Sequence, residues 1–167
     1  LKENKNKKAL KNILNMGHQV GLHFDTTKYD QNKNSIDKGC IEECSTLEKL
    51  IDNKIEMVSF HRPAKEYVGM DQKIGKKNHT YMPSFINNIK YCSDSEGEWK
   101  YDDPEDLIND NSIESIQLLT HPIWWTTPQD LSAGEKIAYH LRGAISNIHK
   151  IASENCKPYK KYLGYKK

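Results

Sequence analysis

The sequence predicts an α/β protein built on parallel strands. Segments with apolar residues near the helical period of 3.6 alternate along the chain with short runs that have the period of a strand. Parallel strands need a crossover connection, which is usually a helix, so this alternation favours parallel pairing. A second observation agrees with it. Each predicted strand runs directly into polar residues capable of chemistry, as strands do at the carboxyl edge of β/α barrels and open parallel sheets.

Each element follows from a local pattern. The predicted strands are apolar or alternating runs at residues 19–24, 55–60, 89–93 and 115–120. The predicted helices cover residues 9–14, 35–51, 104–108 and 132–154. Gly17 ends the first helix, because glycine readily adopts the left-handed conformation of a helix end. Pro104 suits the first turn of the third predicted helix, because a backbone N–H at that position, which proline lacks, would have no partner within the helix.

Length and composition fit one globular domain. The chain has 167 residues, of which 36% are hydrophobic and 29% are charged. We expect a single domain over residues 1–156 and a basic tail over residues 157–167. The net charge of +2 gives no strong field for nucleic acid, so we expect no nucleic-acid partner. No run approaches the roughly 20 apolar residues that span a bilayer.

The beginning of the sequence and its cysteines bear on the compartment. The first eight residues, LKENKNKK, contain neither an initiator methionine nor the apolar stretch of a signal peptide. We therefore expect no signal peptide, and a chain that lacks a beginning. The four cysteines form no C-x-x-C pair. We expect reduced thiols in a cytoplasmic protein rather than a structural zinc knuckle.

Polar residues that follow the strands are predicted to share one pocket. Side chains alternate along a strand, so the apolar residues of the first strand point to one face while His23 and Asp25 point to the other. The same alternation places His61 and His121 on the polar face of the second and fourth strands. Imidazoles with a carboxylate suit Zn²⁺ or a similar divalent ion. The alternative is that one or two of these histidines only satisfy hydrogen bonds at the rim.

Arg62 stands out because the chain has 23 lysines and only two arginines. A planar guanidinium binds a carboxylate through two hydrogen bonds, so Arg62 is a candidate to clamp a catalytic aspartate. Asp94, after the third strand, is a candidate partner or a substrate-positioning residue. Its alternative role is that of a turn residue in the segment SDSEG.

The three tryptophans indicate a carbohydrate partner. Trp124 and Trp125 follow His121 closely, and Trp99 follows Asp94. Aromatic faces beside a polar pocket suit sugar rings, which present C–H patches together with hydroxyls. The alternative is packing beneath the last helix. We expect one of the adjacent pair to stack and the other to pack.

Four segments together resemble the polysaccharide deacetylases, which are the carbohydrate esterase family 4 or NodB-homology superfamily. GHQVGLHFD at 17–25 resembles their GHEIG-x-H segment, and SFHRP at 59–63 resembles their Arg-Pro motif. YCSDSEGEW at 91–99 resembles their Asp…Trp motif, and LLTHPIWW at 118–125 their late Leu-x-x-His motif. The resemblance is greatest to a WbmS-like branch associated with bacterial surface-polysaccharide gene clusters.

The resemblance implies a deformed (β/α) barrel with a divalent metal, usually zinc, that hydrolyses an N-acetyl group on a sugar. His23 matches the first metal-binding histidine. Arg62 matches the arginine that orients the catalytic aspartate. Asp94 and Trp99 match residues that shape the acetyl pocket, and His121 matches the general acid.

The sequence departs from the family pattern in three ways. The first motif, with the catalytic and a metal-binding aspartate, is absent, so we expect a barrel that is incomplete at its N-terminus. The usual second metal histidine is replaced by Thr27, so that Asp25 or His61 would have to substitute for it. The residue before Arg62, typically apolar, is His61.

Two other functions compete with the deacetylase. The first is a non-catalytic carbohydrate-binding protein that keeps the pocket and the aromatic residues but lacks a metal. The second is a metal-dependent hydrolase of another amide, such as a cyclic one. Release of acetate from acetylated sugars distinguishes both from a deacetylase that acts on N-acetyl or O-acetyl groups.

Overall fold

The computed structural model describes residues 2–164, and for residues 2–4 the backbone alone. The chain divides into two compact units, Leu1–Lys90 and Tyr91–Lys167. The prediction of one domain over residues 1–156 stays a prediction.

Helices and short parallel strands alternate in the first unit. Its elements are α1 (Lys2–Asn15), β1 (Leu22–Phe24), α2 (Lys33–Ile51), β2 (Met57–Phe60), β3 (Asn78–His79) and α3 (Pro83–Ile86). The strands form one parallel sheet in the order β1-β2-β3. The β1–β2 register sets Leu22 beside Val58, His23 beside Ser59 and Phe24 beside Phe60. One polar side chain of β1 therefore lies beside one polar side chain of β2.

The core of the first unit forms where α2 covers the apolar face of this sheet. Asn32 caps α2 by accepting a hydrogen bond from the Ser35 backbone N–H at 2.9 Å. The buried residues of α2 recur near the helical period and meet the buried residues of the strands. This cluster includes Ile36, Cys40, Cys44, Ile51, Phe24, Val58 and Phe60. The alternation predicted for β1 and β2 is confirmed, since Phe24, Val58 and Phe60 are buried whereas His23 is exposed.

The second unit carries the remaining strands and the longest helix. Its strands, β4 (Lys90–Ser93) and β5 (Ile116–Leu119), pair with each other. Its helices are α4 (Pro104–Asn109), α5 (Pro122–Trp125), α6 (Ala133–Asn155) and α7 (Lys157–Tyr162). A capping box begins α6: the Ser132 hydroxyl accepts from the Glu135 N–H, and the Glu135 carboxylate accepts from the Ser132 N–H. Among the described residues no helix is both long and apolar enough to cross a membrane.

The prediction of a deformed (β/α) barrel is wrong. The described strands pair in two separate sheets, one of three strands and one of two, and no strand pairing closes either sheet. A β/α barrel needs about eight strands joined in a ring. The five described strands are two to four residues long. The coarser expectation of a mixed α/β protein with parallel strand pairing is confirmed.

Two regions differ from the local predictions. Strand β3 lies between the second and third predicted strands, where the sequence predicts no element, because pairing with β2 rather than apolar periodicity selects it. The basic segment, predicted to be a tail, forms α7 over residues 157–162. Its Tyr159 ring stacks on His149 of α6 with ring centroids 5.9 Å apart. The part of that predicted tail at residues 165–167 lies outside the described residues.

Glu48 links α2 to the strands, and this link predicts a pH-dependent stability. Its carboxylate accepts from the Ile55 N–H at 3.0 Å and from the Lys77 ammonium at 2.9 Å. These bonds favour the charged form and lower the pKa of Glu48. A lowered folded-state pKa gives stability that is present above the unfolded value of 4.5 and is lost as the pH falls through the folded value.

We therefore expect Glu48→Gln to be less stable than the wild type at neutral pH, with the difference shrinking at about pH 3. Urea denaturation at both pH values measures it. Glu42→Gln is the matched control, because Glu42 makes only an exposed helical pair with Lys38 at 3.9 Å. A Glu48→Gln deficit that is the same at both pH values would contradict the assignment.

Candidate functional site

The first unit brings two predicted metal-binding histidines together. His23 lies in β1, and His61 follows β2, where its N–H donates to the Phe24 carbonyl at 2.8 Å. Nε2 of His23 lies 3.4 Å from Nδ1 of His61, and the two rings meet edge to face. Both side chains are exposed. The ladder between β1 and β2 is therefore what holds these two imidazoles side by side.

Ser59 orients His23. Its hydroxyl lies 2.8 Å from Nδ1 of His23, at the register position directly beside it. When Nδ1–H donates to this hydroxyl, the neutral imidazole carries its lone pair on Nε2, the atom that faces His61. A second hydrogen bond of this kind is how proteins fix the tautomer of a metal-binding histidine.

The spacing of the two imidazoles suits a shared ion. Two nitrogen ligands at about 2.05 Å from a tetrahedral zinc lie roughly 3.3 Å apart, close to the 3.4 Å between these atoms. A metal site in a protein takes three or four ligands. Among residues 2–164, no three His, Cys, Asp or Glu side chains are grouped so as to hold a metal ion. The described residues thus supply a pair of metal-binding nitrogens rather than a complete ligand set.

The third predicted metal ligand, Asp25, has a local role. Its Oδ1 accepts from the Thr27 hydroxyl at 2.7 Å and from the Thr27 N–H at 3.1 Å, which caps the short 3₁₀ turn over residues 26–28. The hydroxyl bond is the main reason that the pKa of Asp25 is lowered. Thr27 is thus the partner of this carboxylate.

Arg62 occupies an uncommon backbone conformation. Its φ is +53°, in the left-handed region, and Pro63 follows it. A side chain there is sterically disfavoured, and the residue before a proline is restricted further. Such a conformation persists only where the surrounding structure fixes it, and the Arg62 side chain is exposed.

A cavity of about 660 Å³ lies along β1 within the first unit. His23 and Ser59 line it together with Gln19, Lys54 and Thr80. The polar pair therefore faces a volume within the range of small-molecule sites.

The second unit contains a buried carboxylate with three hydrogen-bond donors. Asp94 is 3% exposed, and its Oδ1 lies 2.6 Å from Nδ1 of His121. Its Oδ2 accepts from the His121 backbone N–H at 2.9 Å and from Nε1 of Trp125 at 3.0 Å. The Asp94 N–H itself bonds to the Leu119 carbonyl, across the β4–β5 pair. Asp94 is thus positioned by backbone and side chains alike.

This arrangement sets the proton positions of His121. Nδ1 donates to the carboxylate, so Nε2 is the atom that exchanges protons with a ligand. The side chain of His121 is 45% exposed, whereas that of Asp94 is 5% exposed. A buried aspartate that orients a partly exposed imidazole in this way is the arrangement of a general acid or base.

Two of the three predicted tryptophans lie together beside this pair. The ring centroids of Trp99 and Trp125 are 5.6 Å apart, and Trp125 is 54% exposed. Trp124 is less exposed and lies near Gly97, and its Nε1 is buried without a hydrogen-bond partner among the described residues. The exposed Trp125 thus presents an aromatic face, whereas Trp124 packs.

Sequence reasoning found most of these residues but missed two relationships. His23 and His61 are together in the first unit, and Asp94, His121, Trp99 and Trp125 are together in the second. The bond from Ser59 to His23 was not foreseen, although the alternation of β2 placed Ser59 on the polar face. The bond from Trp125 to Asp94 carries no sequence signal, because it depends on the turn at α5.

No protein-family model matches this chain, and comparisons with curated proteins and with solved structures likewise give no match.

Proposed function

We propose that this chain is a hydrolase that removes N-acetyl or O-acetyl groups from a carbohydrate in the biosynthesis of a bacterial surface polysaccharide. The observation that carries the proposal is the pair of Asp94 and His121, joined at 2.6 Å with the aspartate buried and the histidine partly exposed. The four sequence segments that resemble polysaccharide deacetylases support it.

His121 is the proposed general acid. Hydrolysis of an acetamide needs a proton on the leaving nitrogen, and an imidazole transfers protons well near neutral pH. Asp94 keeps Nδ1 protonated and stabilises the imidazolium, so that Nε2 delivers the proton. The bonds from the His121 N–H and from Trp125 hold the carboxylate while this charge develops.

The aromatic pair is the proposed sugar-binding surface. Trp99 and Trp125 present neighbouring rings, and the indole N–H of Trp125 is bonded to the same carboxylate that orients His121. A sugar ring that stacks on Trp125 would therefore be placed near the proton donor.

We propose that His23 and His61 supply two ligands of a divalent ion, most simply Zn²⁺. When bound, such an ion would polarise a carbonyl oxygen and lower the pKa of a bound water. A Ser59 hydroxyl that accepts from Nδ1–H of His23 leaves the lone pair on Nε2, and the β1–β2 ladder keeps His61 within 3.4 Å of that atom.

The decisive experiment measures acetate released from N-acetylated and O-acetylated oligosaccharides, with and without added Zn²⁺. Acetate release that depends on His121 supports the deacetylase. Hydrolysis of a cyclic amide without acetate release supports the rival hydrolase. Binding of the same oligosaccharides with no release of acetate, with or without Zn²⁺, supports the carbohydrate-binding protein, which the exposed ring of Trp125 also favours.

Ser59→Ala tests the metal proposal without relying on activity. We expect the ¹⁵N imidazole shifts of His23 to lose their single-tautomer pattern, and Zn²⁺ affinity measured by calorimetry to fall about 10-fold to 100-fold. Ser35→Ala is the control, since Ser35 contributes only its backbone N–H to the cap of α2. Unchanged His23 shifts together with unchanged Zn²⁺ affinity would refute the role of Ser59. Absence of Zn²⁺ binding in the wild type would refute the metal site itself.

A cytoplasmic location is part of the same proposal. All four cysteines are free, and three of them, Cys40, Cys44 and Cys92, are buried. Unpaired thiols are typical of reducing compartments.

A further inference from the structure

The central turns of α6 pack against little of the second unit, where His149 stacks on Tyr159 of α7. All residues from 139 to 151 are exposed, which is unusual for a helix of 23 residues in a folded protein. Its two buried residues, Lys136 and Ser153, lie near its ends. The helix is therefore anchored at both ends, and its central turns are open to a partner.

These central turns carry an apolar stripe. Its five large side chains are each between 43% and 65% exposed: Ile137, Leu141, Ile145, Ile148 and Ile151. Steps of three and four residues place them on one side of the helix, and the same side carries Ala138, Ala144 and Ala152. With about 100° of rotation per residue, Lys136 and Ser153 project from the other side. Exposed apolar surface of this extent marks an interaction site.

The spacing of the positions along the stripe is the same in both directions. Reversing the helix about the midpoint between Ala144 and Ile145 exchanges 137 with 152, 138 with 151, and 141 with 148. In two antiparallel copies, an isoleucine of one helix would therefore face an alanine of the other at three pairs of positions: 137 with 152, 138 with 151, and 144 with 145. Leu141 would face Ile148. Large side chains opposite small ones interdigitate well. A two-fold interface requires this self-complementarity, since the same surface serves both copies.

The distribution of charged side chains on α6 is compatible with pairing between two copies of this chain. In a two-fold interface each charged side chain approaches its own copy, so charge within the stripe would repel. The stripe between Ile137 and Ala152 carries none. Glu135, Lys150 and Glu154 lie on the opposite side of the helix. Antiparallel helices also align their dipoles favourably.

The size of the stripe sets the strength of the contact. It covers 16 residues, or about 24 Å of helix. A single helix-to-helix contact of that length lies at the small end of specific interfaces, below the standard total of about 1,600 Å². We propose that α6 pairs with α6 of a second copy of this chain, antiparallel about Ala144 and Ile145, in a reversible dimer. This dimer is independent of the proposed hydrolase.

Sedimentation over a range from about 1 to 500 μM tests the proposal, since a contact of this size is expected to dissociate at micromolar concentration. We expect the mean mass to rise from 19.4 kDa toward twice that value. Ile145→Glu, which places two carboxylates near the two-fold axis, should keep the chain monomeric throughout, and Leu141→Lys should do the same. Tyr139→Glu is the control, because Tyr139 is 50% exposed but lies off the stripe; it should still dimerise. A monomeric wild type, or an Ile145→Glu variant that dimerises like the wild type, would overturn the proposal.

Disulfide trapping tests the direction, in a Cys156→Ser background that removes the exposed thiol. Ala144→Cys should oxidise readily to a covalent dimer. Ala138→Cys should not, because antiparallel pairing separates the two copies of residue 138 by about 20 Å along the axis. Trapping through residue 138 would show parallel pairing and overturn the antiparallel arrangement.

Discussion

Replacing His121 with alanine is expected to lower the rate of acetate release by about 100-fold to 10,000-fold, the range of general acid catalysis. The loss should fall on kcat, since Nε2 acts on the leaving group rather than on ground-state binding. His140→Ala is the matched control, because His140 is exposed on α6. His121→Ala that releases acetate at the wild-type rate would eliminate the proposed general acid.

Asp94→Asn separates the orienting role from a structural one. The amide keeps the size of the carboxylate but loses its charge, so His121 would lose both its fixed tautomer and the stabilisation of its imidazolium. We expect a smaller loss than for His121→Ala, together with an altered pH profile. Trp125→Phe removes the 3.0 Å bond to Asp94 and keeps a smaller aromatic face. Sugar binding should therefore persist in Trp125→Phe while kcat falls. A pH profile left unchanged by Asp94→Asn would contradict the orienting role.

Gly39→Ala is expected to destabilise the fold, although alanine normally stabilises the interior of a helix. A β-carbon at position 39 would lie well inside van der Waals contact distance of the Tyr29 ring. Tyr29 is held there, since its hydroxyl donates to Glu43 at 2.7 Å and its ring packs on Phe24. Overpacking of this kind costs about 1–3 kcal/mol, and occasionally more.

Gly143→Ala is the matched control for this prediction. Gly143 also lies inside a helix, but nothing lies within 4 Å of a β-carbon there. The substitution should stabilise the protein by about 0.5–1 kcal/mol through backbone entropy alone. Urea denaturation followed by circular dichroism measures both variants. Combining Gly39→Ala with Tyr29→Ala should recover part of the loss. A Gly39→Ala variant as stable as the wild type would show that the ring moves aside freely.

Local sequence patterns predicted the elements closely. The helix expected over 35–51 is observed as Lys33–Ile51, and the one expected over 132–154 as Ala133–Asn155. The strand expected over 115–120 is observed as Ile116–Leu119. These patterns are local, since caps and the period of apolar residues act within a few turns. The pairing of strands is not local, and here the prediction failed: the strands form two small sheets instead of a barrel.

In the candidate site, too, local patterns predicted some features whereas tertiary contacts set the others. Alternation along β1 and β2 placed His23 and Ser59 on one face, and the register then set them side by side at 2.8 Å. The same alternation placed Asp25 on that face, and in the structure its carboxylate accepts from the Thr27 hydroxyl, only two residues away, at 2.7 Å. A nearby partner costs little chain entropy, so it outcompetes a distant one.

The sequence by itself determined where four of the helices and four of the strands lie, which side chains of those strands are polar, and which histidines and tryptophans are candidates for chemistry. It could do so because these properties depend on residues a few positions apart. The tertiary structure alone decided that the carboxylate of Asp94 receives three donors, that Tyr29 needs a glycine opposite it, and that the apolar side of α6 is open. Each of these depends on which surfaces meet, and that is set by the packing of segments far apart in the chain.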